Sequence, residues 1–255
     1  MTQSNVRQNA LSQYADYLVD WLNNERTQTY GMDGFVIGIS GGIDSAVVAH
    51  LLAKTGVPVH GVILPAPSTS QADIDDAIAV ANSAGFPYTI APITDVYATF
   101  MDSMSDLFNS SADRQNVIAG NVQARLRMVA LYAYAQSHNA VVVGTDNADE
   151  WYMGYFTKFG DGGVDVVPLV HLNKSQVFAM GELLGVPQVV LNKAPSAGLW
   201  EGQTDEHEMG VSYAEIDAHL GGETVSDKAM ERINYWHNRS HHKRQLASSP
   251  KAFEA

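Results

Sequence analysis

The chain has 255 residues, of which 45% are hydrophobic and 17% charged, proportions that suit a soluble globular protein. That length is enough for one large α/β domain with its own core, and residues 1–255 are expected to form a single one. With 15 Lys and Arg against 28 Asp and Glu, the formal net charge is −13, which repels phosphate backbones and speaks against nucleic acid as a partner. The absence of cysteine excludes disulfides, thiolate metal sites and a cysteine nucleophile.

No apolar run of roughly 18 residues exists to span a membrane, and the N-terminus has no apolar signal core, which favours the cytoplasm. The N-terminal stretch instead reads as an amphipathic helix, with Leu11, Tyr14, Leu18 and Leu22 at roughly helical spacing. From there apolar runs alternate with helical patterns. The sequence predicts strands over 35–40, 59–64, 88–93 and 140–145, and helices over 45–54, 70–83, 94–108, 120–137, 174–184 and 226–244. Gly56 and Gly85 sit where helix C-caps belong. Short apolar strands separated by helices imply a Rossmann-like α/β fold, a parallel sheet covered on both faces. Ligands of such sheets bind beyond the carboxyl ends of the strands. Two long stretches, 146–165 and 191–209, are rich in Gly and charge and read as irregular loops, which at this length are usually functional or disordered.

The first chemical motif is Gly38-Ile39-Ser40-Gly41-Gly42-Ile43-Asp44-Ser45. A strand runs into a Ser/Gly loop and a helix begins at once. Glycines let the backbone approach an anion, and amide N–H groups at the helix start point towards it. Asp44 would repel a bare phosphate, so its presence points to an intervening Mg²⁺; an N-cap role for Asp44 is compatible with that. The loop lacks the Lys of a Walker A motif.

This run resembles the SGGxDS pyrophosphate loop of the N-type ATP pyrophosphatases, which split ATP into AMP and pyrophosphate on an adenine nucleotide alpha hydrolase-like fold. Further motifs narrow the resemblance. Gly120-Asn121-Val122-Gln123-Ala124-Arg125-Leu126-Arg127-Met128 is similar to the GNxxARxRM helix of NAD synthetases, and Gly144-Thr145-Asp146-Asn147-Ala148-Asp149-Glu150 to their GT(D/S)xxxE strand end. The run from Gly154 to Asp165, GYFTKFGDGGVD, resembles their GYFTKYGDGGxD. Pro168-Leu169, Leu172-Asn173-Lys174, Pro195-Ser196-Ala197, Gln203-Thr204-Asp205-Glu206, Tyr213, Ile216-Asp217 and His242-Lys243-Arg244 follow in the family's order.

The resemblance covers about residues 10–250. It implies an ammonia-dependent ligase that adenylates the carboxylate of deamido-NAD with ATP and then replaces AMP by ammonia, giving NAD. It implies Asp44 and Glu150 as Mg²⁺ ligands. Residues Gly38 to Ser45, Thr145, Lys174 and Ser196 would contact ATP, although Thr145 and Ser196 equally suit turn-capping roles. Arg125, Lys158, Asp165, His242 and Lys243 would surround deamido-NAD, and Asp161 would orient the reacting carboxylate. Asp44, Lys174 and Asp161 are thus the catalytic candidates. The family is homodimeric, with the dinucleotide site built partly from both subunits. No glutaminase domain accompanies the motifs, so free ammonia is the expected nitrogen source.

Two other readings compete. A tRNA-modifying ligase with the same loop conflicts with the acidic balance and the absent thiols. A nucleotide sensor without turnover conflicts with the retained Asp44, Glu150 and Lys174. His237, His241 and His242 lack the spacing of a metal site and suit a phosphate contact better.

Overall fold

The computed structural model describes residues 3–107, 111–195 and 204–252. Strands β1 (Gly34–Gly38), β2 (Val59–Ile63), β3 (Tyr88–Ile90) and β4 (Ala140–Val143) form one parallel sheet in the order β3-β2-β1-β4. Side chains alternate between the faces of a strand, and here each set finds its own layer. Phe35, Ile37, Val141 and Val143 pack with α1 (Gln3–Asn24), α2 (Ile43–Ala53), α3 (Gln71–Ala84) and, later in the chain, α7 (Lys174–Leu184). Val36, Val62 and Val142 face the opposite way, against Leu126, Leu131 and Ala135 of α5 (Ala112–His138). The shorter α4 (Thr94–Ser103) precedes α5. As the sequence predicts, Leu18 and Leu22 are buried, with Leu11 and Tyr14 packed against the same core.

A third cluster lies beyond the strand ends. It joins α6 (Ala148–Met153), α9 (Asp205–Met209), α10 (Tyr213–Leu220) and α11 (Asp227–Arg239) through Met153, Met209, Ile216 and Ile233. Helix α8 (Gln188–Leu191) connects α7 to the stretch before it. Gly154 joins the cluster to the C-terminal segment. Its φ is +66°, and a Cβ there would fall 2.1 Å from the Ser240 Cβ. Among the described residues, no helix is long and apolar enough to cross a membrane.

The expected elements are present, with shifted ends. β1 stops at Gly38 and β4 at Val143, two residues short of expectation, because the chain leaves the sheet there to line a cleft. Helix α5 begins at Ala112 and not at 120, while α4 stops at Ser103 and a 3-10 turn, Ser105–Leu107, follows. Gly85 is the left-handed C-cap of α3, but the C-cap of α2 is Lys54 and Gly56 (φ +73°) falls in the loop beyond. The two stretches read as irregular loops contain α6 and α9. A capping box marks the start of α6: the Asn147 side chain accepts from backbone N–H groups while Glu150 reaches back to the Asn147 amide. α11 stops at Arg239, and His241–Arg244 forms a separate 3-10 turn.

The chain builds the sheet outward from β1 through β2 to β3, then returns to place β4 on the other side of β1. The carboxyl ends of β1 and β4 therefore flank the topological switch point, where ligands of open α/β sheets bind.

Buried His50 offers a test of the α2–α3 packing. Its Nδ1 donates to the Ala46 carbonyl at 2.7 Å, and its Nε2 meets the Ser83 hydroxyl at 3.1 Å. Burial lowers its pKa below the usual 6.5, a shift that the hydrogen bond to the Ala46 carbonyl only partly offsets. The unfolded chain therefore takes up the proton first, so this contribution to stability is complete above the unfolded pKa and is lost as pH falls below it. In urea titrations between about pH 7 and pH 5, His50→Gln should lose less stability than the parent protein.

Candidate active site

At the end of β1 the chain turns through Ser40, Gly41 and Gly42 into α2. Gly41 has φ +79°, and a Cβ there would lie 2.7 Å from the Asp73 carbonyl oxygen of α3. Only glycine fits both the conformation and the space. Gly42 is the N-cap residue and supplies no side-chain acceptor, so the start of α2 is not blocked by its own cap. Asp44 therefore sits inside the first turn and is not the cap. Ser40 and Ser45 brace the turn: their hydroxyls are 3.1 Å apart, the Ser45 hydroxyl donates to the Gly42 carbonyl at 3.0 Å, and the Gly42 amide donates to Ser40 Oγ at 3.2 Å. Ile43 points away from the loop into the core. The result is a helix N-terminus with its dipole directed into a cleft of 1180 Å³.

Across the switch point, β4 leads through Thr145 and Asp146 to α6. Asn147 joins the two sides of the cleft. Its Nδ2 donates to Asp44 Oδ1 at 2.8 Å, while its backbone N–H donates to Glu150 Oε2 at 3.2 Å. Lys174, the first residue of α7, closes the set. Its Nζ lies 2.7 Å from Asp44 Oδ2 and 3.2 Å from Glu150 Oε1. Tyr213 of α10 completes the wall: its ring faces the Lys174 ammonium at 4.7 Å, and its hydroxyl lies 2.9 Å from Asp205 Oδ2 and 3.4 Å from Glu150 Oε1.

One ammonium serves two partly buried carboxylates. Burial by itself would lower the Lys174 pKa, but Asp44 and Glu150 outweigh it and hold the lysine above its usual range. The excess negative charge falls on Glu150, whose carboxyl is pushed up to about 7 by burial and then by Asp44, with Lys174 only partly offsetting them. The pair is thus a site short of positive charge. Two carboxylates suit Mg²⁺, which is commonly held by one or two acidic side chains together with substrate phosphates. Among the described residues, no cluster of three or more His, Asp or Glu forms a metal cage.

Deeper in the cleft lie Asp146, Asp161 and Lys243. Asp146 is buried, its Oδ2 has no hydrogen-bond partner among the described residues, and burial followed by the charge of Asp161 raises its pKa well above normal. Asp161 is open to the cleft, yet the protein packed round that end raises its carboxyl as well; its Oδ1 accepts from the Thr157 amide at 3.0 Å. Behind the cleft, Asp149 Oδ2 accepts from the Lys174 amide at 2.6 Å and Asp217 Oδ2 from the Ser175 amide at 3.1 Å. Burial and then Asp217 push Asp149 up to about 8. These two carboxyls hold the start of α7, which fixes the base of the Lys174 side chain.

The other expected residues divide into groups. Thr145, His242 and Lys243 line the same cleft as the loop. Lys243 donates to the carbonyls of Gly154 and Phe156. Arg125 and Lys158 are brought together but lie off the main cleft. Arg125 donates to the Lys158 carbonyl at 3.3 Å, and Lys158 Nζ donates to the carbonyls of His242 and Gln245. Arg125 faces a second hollow of 450 Å³ with Phe100, Val122 and Val129. Asp165 is engaged by the fold: its oxygens accept from the Tyr132 hydroxyl at 2.9 Å and the Val142 amide at 2.8 Å. Ser196, Ala197 and Gln203 lie outside the described residues. His237 is stacked on Tyr152 and bonded to its carbonyl.

Sequence reasoning gave no individual role to Asn147, Asp205 or Tyr213. The Asn147-x-x-Glu150 spacing is a legible capping signal. Nothing local announces that Asp205 and Tyr213 return to the Lys174 ammonium.

Comparison with known proteins agrees with this geometry. The NAD synthase family profile matches residues 14–247. An NH(3)-dependent NAD(+) synthetase of Mannheimia succiniciproducens is 60% identical over 94% of this chain and 96% of its own length. Among solved structures, an NMN synthetase from Francisella tularensis superposes with a TM-score of 0.90 at 54% identity, covering 95% of this chain and 99% of that one. A NAD+ synthetase from Burkholderia pseudomallei superposes with a TM-score of 0.73 at 31% identity, covering 93% and 91%.

Asn147 gives the test of the site's construction. Asn147→Ala should lower stability by about 1–2 kcal/mol in urea denaturation, through loss of the helix cap and the bond to Asp44. Asn147→Ser keeps a capping hydroxyl but cannot reach Asp44, so it should recover stability while leaving turnover impaired.

Proposed function

Because the chain belongs to the NAD synthase family, we propose that its cleft amidates the nicotinate carboxylate of deamido-NAD with ammonia, consuming ATP and giving NAD, AMP and pyrophosphate. The observation that carries this reading is the juxtaposition of the unblocked start of α2 with the Asp44–Glu150–Lys174 cluster in one cleft. One side offers amide donors to a departing pyrophosphate; the other offers two carboxylates to a metal and a cation to phosphate oxygens.

A carboxylate is a poor electrophile, and ammonia does not displace its oxygen unaided. In the first step the substrate carboxylate oxygen bonds to the ATP α-phosphorus and pyrophosphate leaves. In the second, ammonia attacks the carboxyl carbon, gives up a proton, and AMP leaves with the former carboxylate oxygen. Bound Mg²⁺, held by Asp44 and Glu150, supplies charge neutralisation on the phosphates. This chain's own residues position the reactants and stabilise charge. Ser40, Gly41, Gly42 and Ser45 cradle pyrophosphate, with Thr145, Lys174 and Ser196 also at ATP. Asp161, open to the cleft and hydrogen-bonded to Thr157, orients the reacting carboxyl. His242 and Lys243 border the substrate from the C-terminal segment.

Arg125 and Lys158 lie off the main cleft, Arg125 beside the second hollow, and Val96, Phe100, Val117 and Val129 of α4 and α5 are exposed. We assign that apolar face to a homodimer, in which the substrate site is completed where subunits meet. For Asp165 to touch substrate, Tyr132 or Val142 would have to release it. Residues 1–255 act as one catalytic unit in this scheme.

The likeness to the Francisella tularensis NMN synthetase favours a second reading, in which nicotinate mononucleotide is the acid and nicotinamide mononucleotide the product. The chemistry at the carboxyl is the same; only the length of the handle differs. Incubation with ATP, Mg²⁺ and ammonium plus either acid, followed by measurement of AMP and the amide product, decides between them through the ratio of kcat/KM values. No AMP with either acid would remove both.

Asp44→Ala should abolish AMP formation with either acid while leaving the circular dichroism spectrum intact; undiminished turnover would discard the metal role. Lys158→Ala should raise KM for the pyridine nucleotide about tenfold, equivalent to about 1.4 kcal/mol, with KM for ATP unchanged. An equal rise in both would count against its assignment to that substrate.

A further inference from the structure

Lys174 lies between two carboxylates. Its ammonium meets Asp44 Oδ2 at 2.7 Å and Glu150 Oε1 at 3.2 Å. The other oxygen of each carboxylate is already engaged by Asn147, which donates to Asp44 Oδ1 from its side chain and to Glu150 Oε2 from its backbone. The two oxygens that remain to receive a cation are therefore the two that face the lysine. We propose that Lys174 is a placeholder cation: it fills the metal position between Asp44 and Glu150 in the free protein and yields it when nucleotide phosphates draw the ammonium away, so that Mg²⁺ enters with ATP and not before it. This rests on the reading of the cleft as an ATP- and Mg²⁺-using site.

Three features support the exchange. Two neighbouring carboxylates removed from bulk water repel each other and need a counter-charge even when no ligand is present. A tethered ammonium supplies it at high effective concentration, so a metal ion alone must compete with a cation that never diffuses away. The protein also gives the metal few ligands: among the described residues no third acidic or histidine donor joins the pair. The remaining positions fall to water and phosphate oxygens, as Mg²⁺ commonly prefers.

The lysine is built to move without disturbing its surroundings. Its backbone is fixed, because Lys174 N donates to Asp149 Oδ2 at 2.6 Å and Asn173 caps the helix that begins there. Only the flexible four-carbon stem has to swing, and an ammonium binds phosphate as a point charge in many orientations. Asn147 holds Asp44 and Glu150 independently of the lysine, and the Tyr213 hydroxyl lies 3.4 Å from Glu150 Oε1. The metal position is thus preformed beneath the lysine.

The test is Mn²⁺ binding, followed by electron paramagnetic resonance, with no acid substrate and with or without ATP. The parent protein should bind Mn²⁺ weakly alone and more tightly with ATP, beyond the affinity of ATP itself for the metal. Lys174→Met should bind Mn²⁺ without nucleotide at least about tenfold more tightly than the parent, because the competing state is gone. Adding Asp44→Asn to Lys174→Met should abolish that gain. Mg²⁺ should likewise raise the melting temperature of Lys174→Met more than that of the parent. If Lys174→Met is too unstable to isolate, Lys174→Gln gives the same comparison. Equal nucleotide-free affinity in parent and variant would overturn the placeholder role while leaving the metal site standing. No protein-bound Mn²⁺ in any form, with or without ATP, would overturn the metal reading itself.

Discussion

The site is organised around a charge imbalance: two carboxylates, Asp44 and Glu150, share one ammonium from Lys174 while turned away from bulk water. Removing charges from water is costly unless they are paired and hydrogen-bonded. Everything near the cluster answers that cost. Asn147 occupies one oxygen of each carboxylate, Tyr213 lies against the lysine, and the Asp149–Asp217 pair fixes the helix start from which the lysine reaches. Since Asp44 comes from α2, Glu150 from α6, Lys174 from α7 and Tyr213 from α10, the cluster also ties together four helices.

The sheet makes this convergence possible. Reversal of strand order at β1 and β4 opens a gap at their carboxyl ends, and both critical segments emerge into it. The loop before α2 must be tight, because Gly41 runs directly against the α3 backbone. The same closeness leaves the start of α2 directed into the cleft. A helix end and its dipole suit an anion here, without a Walker-type lysine.

The composition of the cleft also sets a division of labour. The end near α2 is provided with amides and hydroxyls that suit phosphate. Another part of the cleft holds Asp146, Asp161 and Lys243, where desolvation raises both carboxyls and the charge of Asp161 raises Asp146 further. Asp44, Glu150 and Lys174 line the same cleft. Such an arrangement fits a reaction in which pyrophosphate departs in one direction while the nucleophile and the activated carboxyl meet elsewhere.

Much of this was legible in the chain itself. Alternation of Phe35, Val36 and Ile37 specifies a strand buried on both faces, and Ser40 to Ser45 specifies a glycine turn feeding a helix, because these depend on neighbours a few residues apart. The motifs identified Asp44, Glu150 and Lys174 as members of one site. What the sequence did not determine was which oxygens they share, that Asn147 holds both carboxylates, or that Asp205 and Tyr213 return to the same lysine. Nor did it show that Asp165 is engaged by Tyr132 and Val142, or that Arg125 and Lys158 lie off the main cleft. Local backbone preference is encoded over a few residues, whereas most of these partnerships join distant positions, such as Tyr213 with Glu150 and Lys174 with Asp44, 63 and 130 residues apart. Only the packing of complete helices on a common sheet decides which distant side chains meet.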